Sequence, residues 1–261
     1  MGFGRSGLAC ANLLHDLGAQ VYVSDNQDNN LTRANFLKLK SKEIKVELGR
    51  HSRDFIKERD MVVVSPGVPN EARPILWAKE ENIPVISEIE LAWILCPAEV
   101  IAITGTNGKT TVTTLIAKVL EAAGKRVFTC GNIGTPFCSV VENMRPGDFV
   151  SLEISSFQLE AVVTFKPRIS VVLNLSRNHL DRYKDMPDYL MAKKRIFMNQ
   201  DVSDYLVLNY DDPLVRDLAK EAKAQVVYFR KERDLNPNQS AVGQVASILG
   251  INKDLVLRVF R

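Results

Sequence analysis

The chain has 261 residues, above the ~100–200 typical of a single domain, so two domains are expected. Its 46% hydrophobic and 25% charged residues give enough apolar material for a sizeable core and exclude a disordered, low-complexity chain. The net charge of +3 is too mild to argue for nucleic acid, no apolar run reaches the ~18 residues of a membrane span, and the four cysteines show neither Cys-x-x-Cys nor zinc spacing, which reads as reduced thiols in a cytoplasmic protein.

Gly2-Phe-Gly-Arg-Ser-Gly7 opens the chain, and a helical pattern follows over residues 8–17. The start also fits a myristoylation pattern, but the same glycines serve better as a turn at a helix N-terminus. A strand is expected over 20–24, with Asp25 at its end. This is the outline of a dinucleotide fingerprint, yet a lone G-x-G-x-x-G is weak evidence. It also lacks the strand that should precede it, since only Met1 stands before Gly2. That strand is usually central in a doubly wound sheet, so its neighbours would lose pairing partners. Either the chain is cut short at its start or something else fills the gap. A buried strand over 60–65 runs into Ser65-Pro-Gly-Val-Pro69, a second backbone turn at the same sheet edge, then a helix over 73–81 and a strand over 83–86. Residues 95–98 read as a linker. His15 and His51 read as surface residues.

The alternation then restarts, with strands expected over 100–104, 126–129, 149–154, 169–175, 205–209 and 225–229. Helices are expected over 110–123, 189–199 and 212–222, and after a polar stretch two more over 240–249 and 253–260. Short apolar strands spaced by helices imply βαβ units and a parallel sheet. The fold class is α/β: a Rossmann-like domain over 1–97 without its first strand, a P-loop ATPase-type domain over 98–235, and remnant helices over 236–261.

Ile103-Thr-Gly-Thr-Asn-Gly-Lys-Thr-Thr111 carries the clearest chemistry. A strand ending in a glycine turn, followed by a helix, aims free N–H groups and a positive dipole end at one spot, where phosphate binds. Gly105, Thr106, Asn107, Gly108 and Thr111 would line this cradle, Lys109 can reach the outer phosphates, and the Thr110 hydroxyl can hold Mg²⁺. ATP is therefore favoured over NAD, and the first domain would bind another phosphate-bearing ligand. Glu153, at the carboxyl end of a buried strand, suits a Mg²⁺ ligand, the alternative being a cap on the Ser155/Ser156 turn. His179 could bind metal or be structural. By composition, Lys193-Lys-Arg195 is a solvated helix face.

Together with Gly131-Asn-Ile-Gly134, Glu153-Ile-Ser-Ser-Phe-Gln-Leu-Glu160, His179-Leu-Asp-Arg-Tyr183 and Asn209-Tyr-Asp-Asp212, these segments resemble the muramyl ligase family, and within it the D-glutamate-adding branch. The resemblance covers most of the chain. It implies an ATP- and Mg²⁺-dependent amide ligase of peptidoglycan synthesis whose substrates are UDP-N-acetylmuramoyl-L-alanine and D-glutamate, acting as a cytoplasmic monomer without nucleic acid. An acyl phosphate would form and be displaced by the D-glutamate amine. By this resemblance Thr110 belongs to one metal, Glu153 and His179 to a second, and Lys193 becomes a metal-bridging carbamate. Asn209 matches an adenine contact. Ser6, Asp25, Asn26 and Gly67 fall at the uridine-nucleotide pocket, and Asn132, Ser155 and Gln158 along the muramoyl-alanine end. Three departures stand out: Asn178 replaces a common acidic residue, Pro237 replaces a histidine, and a third domain bearing D-glutamate contacts is expected to be absent. The chain is then expected to bind nucleotide and make little product. A binding-only remnant and a relative with another acceptor are the competing expectations.

Overall fold

Short runs of β-branched and aliphatic residues form parallel strands here because both of their faces are covered. The computed structural model describes residues 1–176, 183 and 185–261. Two compact units result: Met1–Cys96 with Pro136–Glu142 and Glu160–Val163, and Pro97–Thr135 with Asn143–Leu159 and Thr164–Arg261. The chain thus returns twice to the first unit after residue 97. Each return has a local cause. Phe137, Cys138 and Val141 are buried, while Ala161 O accepts from Ser87 N at 2.9 Å and Glu90 Oε2 accepts from Val163 N at 2.9 Å.

The first unit runs α1 (Arg5–Asp16), β1 (Tyr22–Asp25), α2 (Asn30–Phe36), β2 (Lys45–Leu48), β3 (Val62–Val64), α3 (Arg73–Glu80), β4 (Val85–Ser87) and α4 (Glu88–Leu95). The helices α2 and α4 and the strand β2 add to the expected elements. A reciprocal cap between Asn29 and Thr32 starts α2. The strands form two separate parallel pairs, β1-β2 and β3-β4. Met1 and Gly2 link them by backbone hydrogen bonds. Gly2 N donates to Ser24 O at 2.9 Å, Ser65 N donates to Met1 O at 2.9 Å, and the Met1 amine donates to Val63 O at 2.7 Å. Beside this two-residue bridge lies a cavity of about 290 Å³, lined among others by Ala11 and Leu14 of α1, Val23 of β1 and Val62 of β3. The expected loss of pairing is therefore visible as a split sheet.

The second unit holds β5 (Glu99–Thr104), α5 (Lys109–Ala122), β6 (Val127–Gly131), β7 (Phe149–Glu153), α6 (Ser156–Leu159), β8 (Ile169–Val172), α7 (Met186–Lys194), β9 (Tyr205–Asn209), α8 (Pro213–Arg216), β10 (Gln225–Phe229), α9 (Pro237–Ile248) and α10 (Lys253–Val259). Its strands form one parallel sheet in the order β10-β9-β8-β5-β7-β6. Every residue of β7 and β8 is buried, as expected for strands covered on both faces. The apolar stripe of α5 (Val112, Ile116, Val119, Leu120) meets Ala241, Val242, Val245 and Ala246 of α9 and Val256 of α10 in one core. Residues 236–261, which the sequence sets apart, are thus part of this unit's packing. Helix α7 starts earlier than its pattern suggests because Asp185 caps it by accepting from Asp188 N. Register sets the site: Glu153 pairs with Ile103 on one side and Gly131 on the other, and Thr104 pairs with Val172. The chemistry-bearing residues therefore gather at the carboxyl ends of neighbouring strands, where open α/β sheets bind ligands. Among the described residues, no helix is long and apolar enough to cross a membrane.

Candidate functional site

Two glycines shape the loop between β5 and α5. A side chain at Gly105 would put its Cβ 2.9 Å from Leu173 Cβ. Gly108 has φ +83°, and a Cβ there would fall 2.6 Å from Asn238 Oδ1. Gly105 is restricted by this close approach, and Gly108 by its left-handed backbone. Gly108 caps α5 without a side-chain hydrogen bond, so the first-turn N–H groups stay available to an anion. The loop is braced from outside. Asn107 N donates to Asn174 Oδ1 at 2.8 Å, Asn174 Nδ2 returns to Asn107 O at 3.0 Å, and Thr106 N donates to Asn174 O at 3.0 Å. Thr106 Oγ1 also lies 3.2 Å from the Tyr189 hydroxyl. Thr111 stands exposed in the first turn of α5.

Two lysines converge on the loop's own carbonyls. Lys109 Nζ donates to Gly105 O and Thr106 O, both at 3.0 Å. Lys193 Nζ donates to Thr104 Oγ1 at 3.2 Å and Gly105 O at 3.1 Å and sits 4.8 Å from the Tyr189 ring centre. Lys193 is 2% exposed, which corrects its reading as part of a solvated helix face. The face of α7 that it occupies is turned to the end of β5, where Thr104 and Gly105 accept its bonds. Burial, with the Lys109 ammonium nearby, pulls Lys193 down to about 7. Burial also lowers Lys109, and the Glu153 carboxylate opposes that shift.

Glu153 accepts from Thr110 Oγ1 at 2.8 Å through Oε2 and from Asn132 Nδ2 at 2.9 Å through Oε1. Its carboxylate is therefore spent on the loop side and not on the turn that follows it. A hydroxyl and a carboxylate side by side under open amides are hard oxygen donors that fit Mg²⁺. Ser155 N and Oγ both donate to Gln158 Oε1, at 3.0 and 3.1 Å, closing the turn after β7. Asn209 Nδ2 donates to Leu173 O at 2.9 Å while its Oδ1 accepts from Asp211 N at 3.0 Å. His179 and Asn178 lie outside the described residues.

In the first unit, a cavity of about 470 Å³ opens at the start of α1 and the ends of β1 and β3. Ser6, Asp25, Asn26 and Gly67 all line it, and so does His51. His51 is thus a half-buried wall residue and not the surface histidine expected from sequence. The Asp25 carboxylate accepts from Phe3 N at 2.5 Å and Gln27 N at 2.8 Å. Sequence reasoning also passed over Asn174 and Tyr189. An asparagine directly after an apolar strand was the available signal for the first; nothing in the pattern marks Tyr189.

A family model described as the Mur ligase middle domain matches residues 103–248, and one for the MurD-like N-terminal domain of Mur ligases matches residues 1–87. The chain is 46% identical over 235 residues to the UDP-N-acetylmuramoylalanine--D-glutamate ligase of Geotalea uraniireducens, covering 90% of this chain and 52% of that protein. Against the ligase of the same name from Koribacter versatilis, identity is 42% with the same coverage. The chain therefore spans about half the length of the curated relatives it matches. In fold it is similar to the UDP-N-acetylmuramate:L-alanyl-gamma-D-glutamyl-meso-diaminopimelate ligase of Neisseria meningitides, at TM-score 0.66 and 18% identity, over 99% of this chain and 94% of that one. The UDP-N-acetylmuramate-alanine ligase of Thermotoga maritima gives TM-score 0.57 and 22% identity over 98% and 66%. With the middle-domain model matched over more than half of its residues, and the phosphate loop and its partners inside that match, the chain belongs to the Mur ligase family.

Proposed function

We propose that this chain supplies the ATP-binding and UDP-sugar-binding parts of a ligase that joins D-glutamate to UDP-N-acetylmuramoyl-L-alanine in the cytoplasmic synthesis of peptidoglycan precursors. The observation that carries this reading is the Thr110–Glu153 pair under a loop with open helix amides, in a chain whose relatives bear that ligase name. The loop amides and Lys109 would hold the ATP phosphates. Thr110 and Glu153 would hold Mg²⁺, which when bound neutralises charge on the phosphoryl oxygens. The muramoyl-alanine carboxylate would take the γ-phosphoryl group, and the amine of D-glutamate would then displace phosphate from the acyl group. Asn132 would stand beside that reacting end through its bond to Glu153. The cavity lined by Ser6, Asp25, Asn26 and Gly67 would hold the UDP end.

Titration with ATP and Mg²⁺ by calorimetry tests the loop. Lys109→Ala is expected to weaken ATP binding at least tenfold, and unchanged binding rejects the assignment. D-glutamate-dependent release of ADP, measured on the same protein, separates a ligase from a chain that only binds nucleotide.

A further inference from the structure

His51 lies outside both glycine motifs, yet it lines the 470 Å³ cavity. One ring nitrogen is already engaged, because Nδ1 lies 2.6 Å from Ser24 Oγ. The same hydroxyl lies 3.4 Å from Glu47 Oε1 and 3.5 Å from Arg50 O. Ser24, one residue before Asp25 on β1, therefore fixes the orientation of the imidazole. No hydrogen-bond partner to Nε2 is present among the described residues. Such a nitrogen in a cavity wall is oriented but unspent, the arrangement that gives a polar group in a binding pocket its specificity.

The charge around the ring is lopsided. Asp25 closes β1 and Glu47 sits on β2, and both act on the imidazole as carboxylates, while the Met1 amine opposes them. Arg50 is drawn to Glu47, with Nε 3.3 Å from Oε2. Glu47 does not line the cavity, and the Asp25 carboxylate accepts from Phe3 N at 2.5 Å beside the start of α1. The cavity also takes in the N-terminus of α1, a helix of 12 residues whose cap, Gly4, makes no side-chain hydrogen bond. Amides and dipole there favour an anion. The cavity thus offers amides fit for a diphosphate and, in His51, a polar group fit for an uncharged partner.

We propose that His51 contacts the uncharged nucleoside part of a nucleoside diphosphate, hydrogen-bonding a ribose hydroxyl or the pyrimidine edge through Nε2 while the phosphates lie at the start of α1. This rests on reading the cavity as the UDP-binding pocket. Burial lowers the affinity of the imidazole for a proton, which keeps it neutral near neutral pH. A neutral ring offers a directional bond without attracting the phosphates.

UDP is the probe. Calorimetric titration of the chain and of its His51→Ala and His51→Gln variants is expected to show UDP binding weakened about tenfold in the alanine form and partly restored in the glutamine form. UDP should also shift the His51 Nε2 nitrogen resonance of the unsubstituted chain in the direction of a new hydrogen bond, a change that a histidine merely close to the ligand would not report. UDP affinity within twofold of the original in both variants overturns the role of His51 and leaves the pocket standing. Failure of the unsubstituted chain to bind UDP overturns the pocket and the contact together. Should His51→Ala unfold, the glutamine variant and the resonance shift still decide: full affinity in the one with no shift in the other overturns the proposal.

Discussion

Glu88 is the residue whose chemistry is most at odds with its surroundings. It opens α4 fully buried, its Oε1 accepting from Cys138 N at 2.7 Å and its Oε2 without a partner. Burial pushes its carboxyl up from the ordinary 4.5 to about 7. A folded-state value above the unfolded one means that the folded chain holds the proton more tightly. The stability this provides is complete below about 4.5 and is lost as pH rises through about 7. The swing is on the order of 3 kcal/mol. Glu88→Gln, which cannot titrate, should flatten the change in melting temperature between pH 5 and pH 8, and an unaltered slope would remove Glu88 as its source. At this scale the sequence was legible where motif spacing dictates position. Lys109, Thr110 and Glu153 meet because a phosphate loop and a strand end can share only one sheet edge. It was not legible for Lys193 or His51. Whether a lysine on a helix faces solvent or the sheet depends on packing partners far along the chain, and a histidine in a loop carries no periodicity.

Elements were read best where apolar runs are continuous and bounded by turns. The observed β9 and β10 coincide with the expected ranges. The missed elements are short or lack a period: β2 has four residues, α2 has seven, and α4 is apolar nearly all round, so no face distinguishes it. Helix α9 shows what local chemistry adds when the pattern is adequate. Asn236 and Gln239 form a reciprocal cap, with Gln239 N donating to Asn236 Oδ1 at 3.0 Å and Asn236 N donating to Gln239 Oε1 at 3.1 Å. The cap starts α9 three residues before its apolar stripe predicts, and next to Asn238, whose side chain lies against Gly108. Asn236→Ala should cost about 1 kcal/mol of stability, seen as a lower urea midpoint with an unchanged slope. No shift in the midpoint would mean that tertiary packing alone holds this helix end.

For the whole molecule, the two units differ in how their backbone is secured. The second has a single six-stranded sheet; the first has two pairs of three- and four-residue strands joined by Met1 and Gly2 beside a 290 Å³ cavity. Two-stranded pairing is marginal without further support, so local opening should be easier there. Amides of β1 and β3 are expected to exchange with deuterium well before those of β5, β7 and β8. Equal protection would show that the bridge secures the first unit as well as a full strand would. The α/β class and the order of units were legible in the alternation of patterns, whereas the split sheet was foreshadowed only by the lone Met1 before the first glycine motif.

Strand order carries one last consequence, for the time at which the phosphate loop can take shape during synthesis. β5 precedes the loop, yet its two neighbours are β7 and β8, which end at Glu153 and Val172. At roughly 5–20 residues per second, the ribosome needs roughly 3–14 s to extend the chain from the end of β5 to the end of β8. For that interval β5 lacks at least one of its two neighbours, and the nascent chain is most exposed to mispairing just where its most exacting chemistry will later stand.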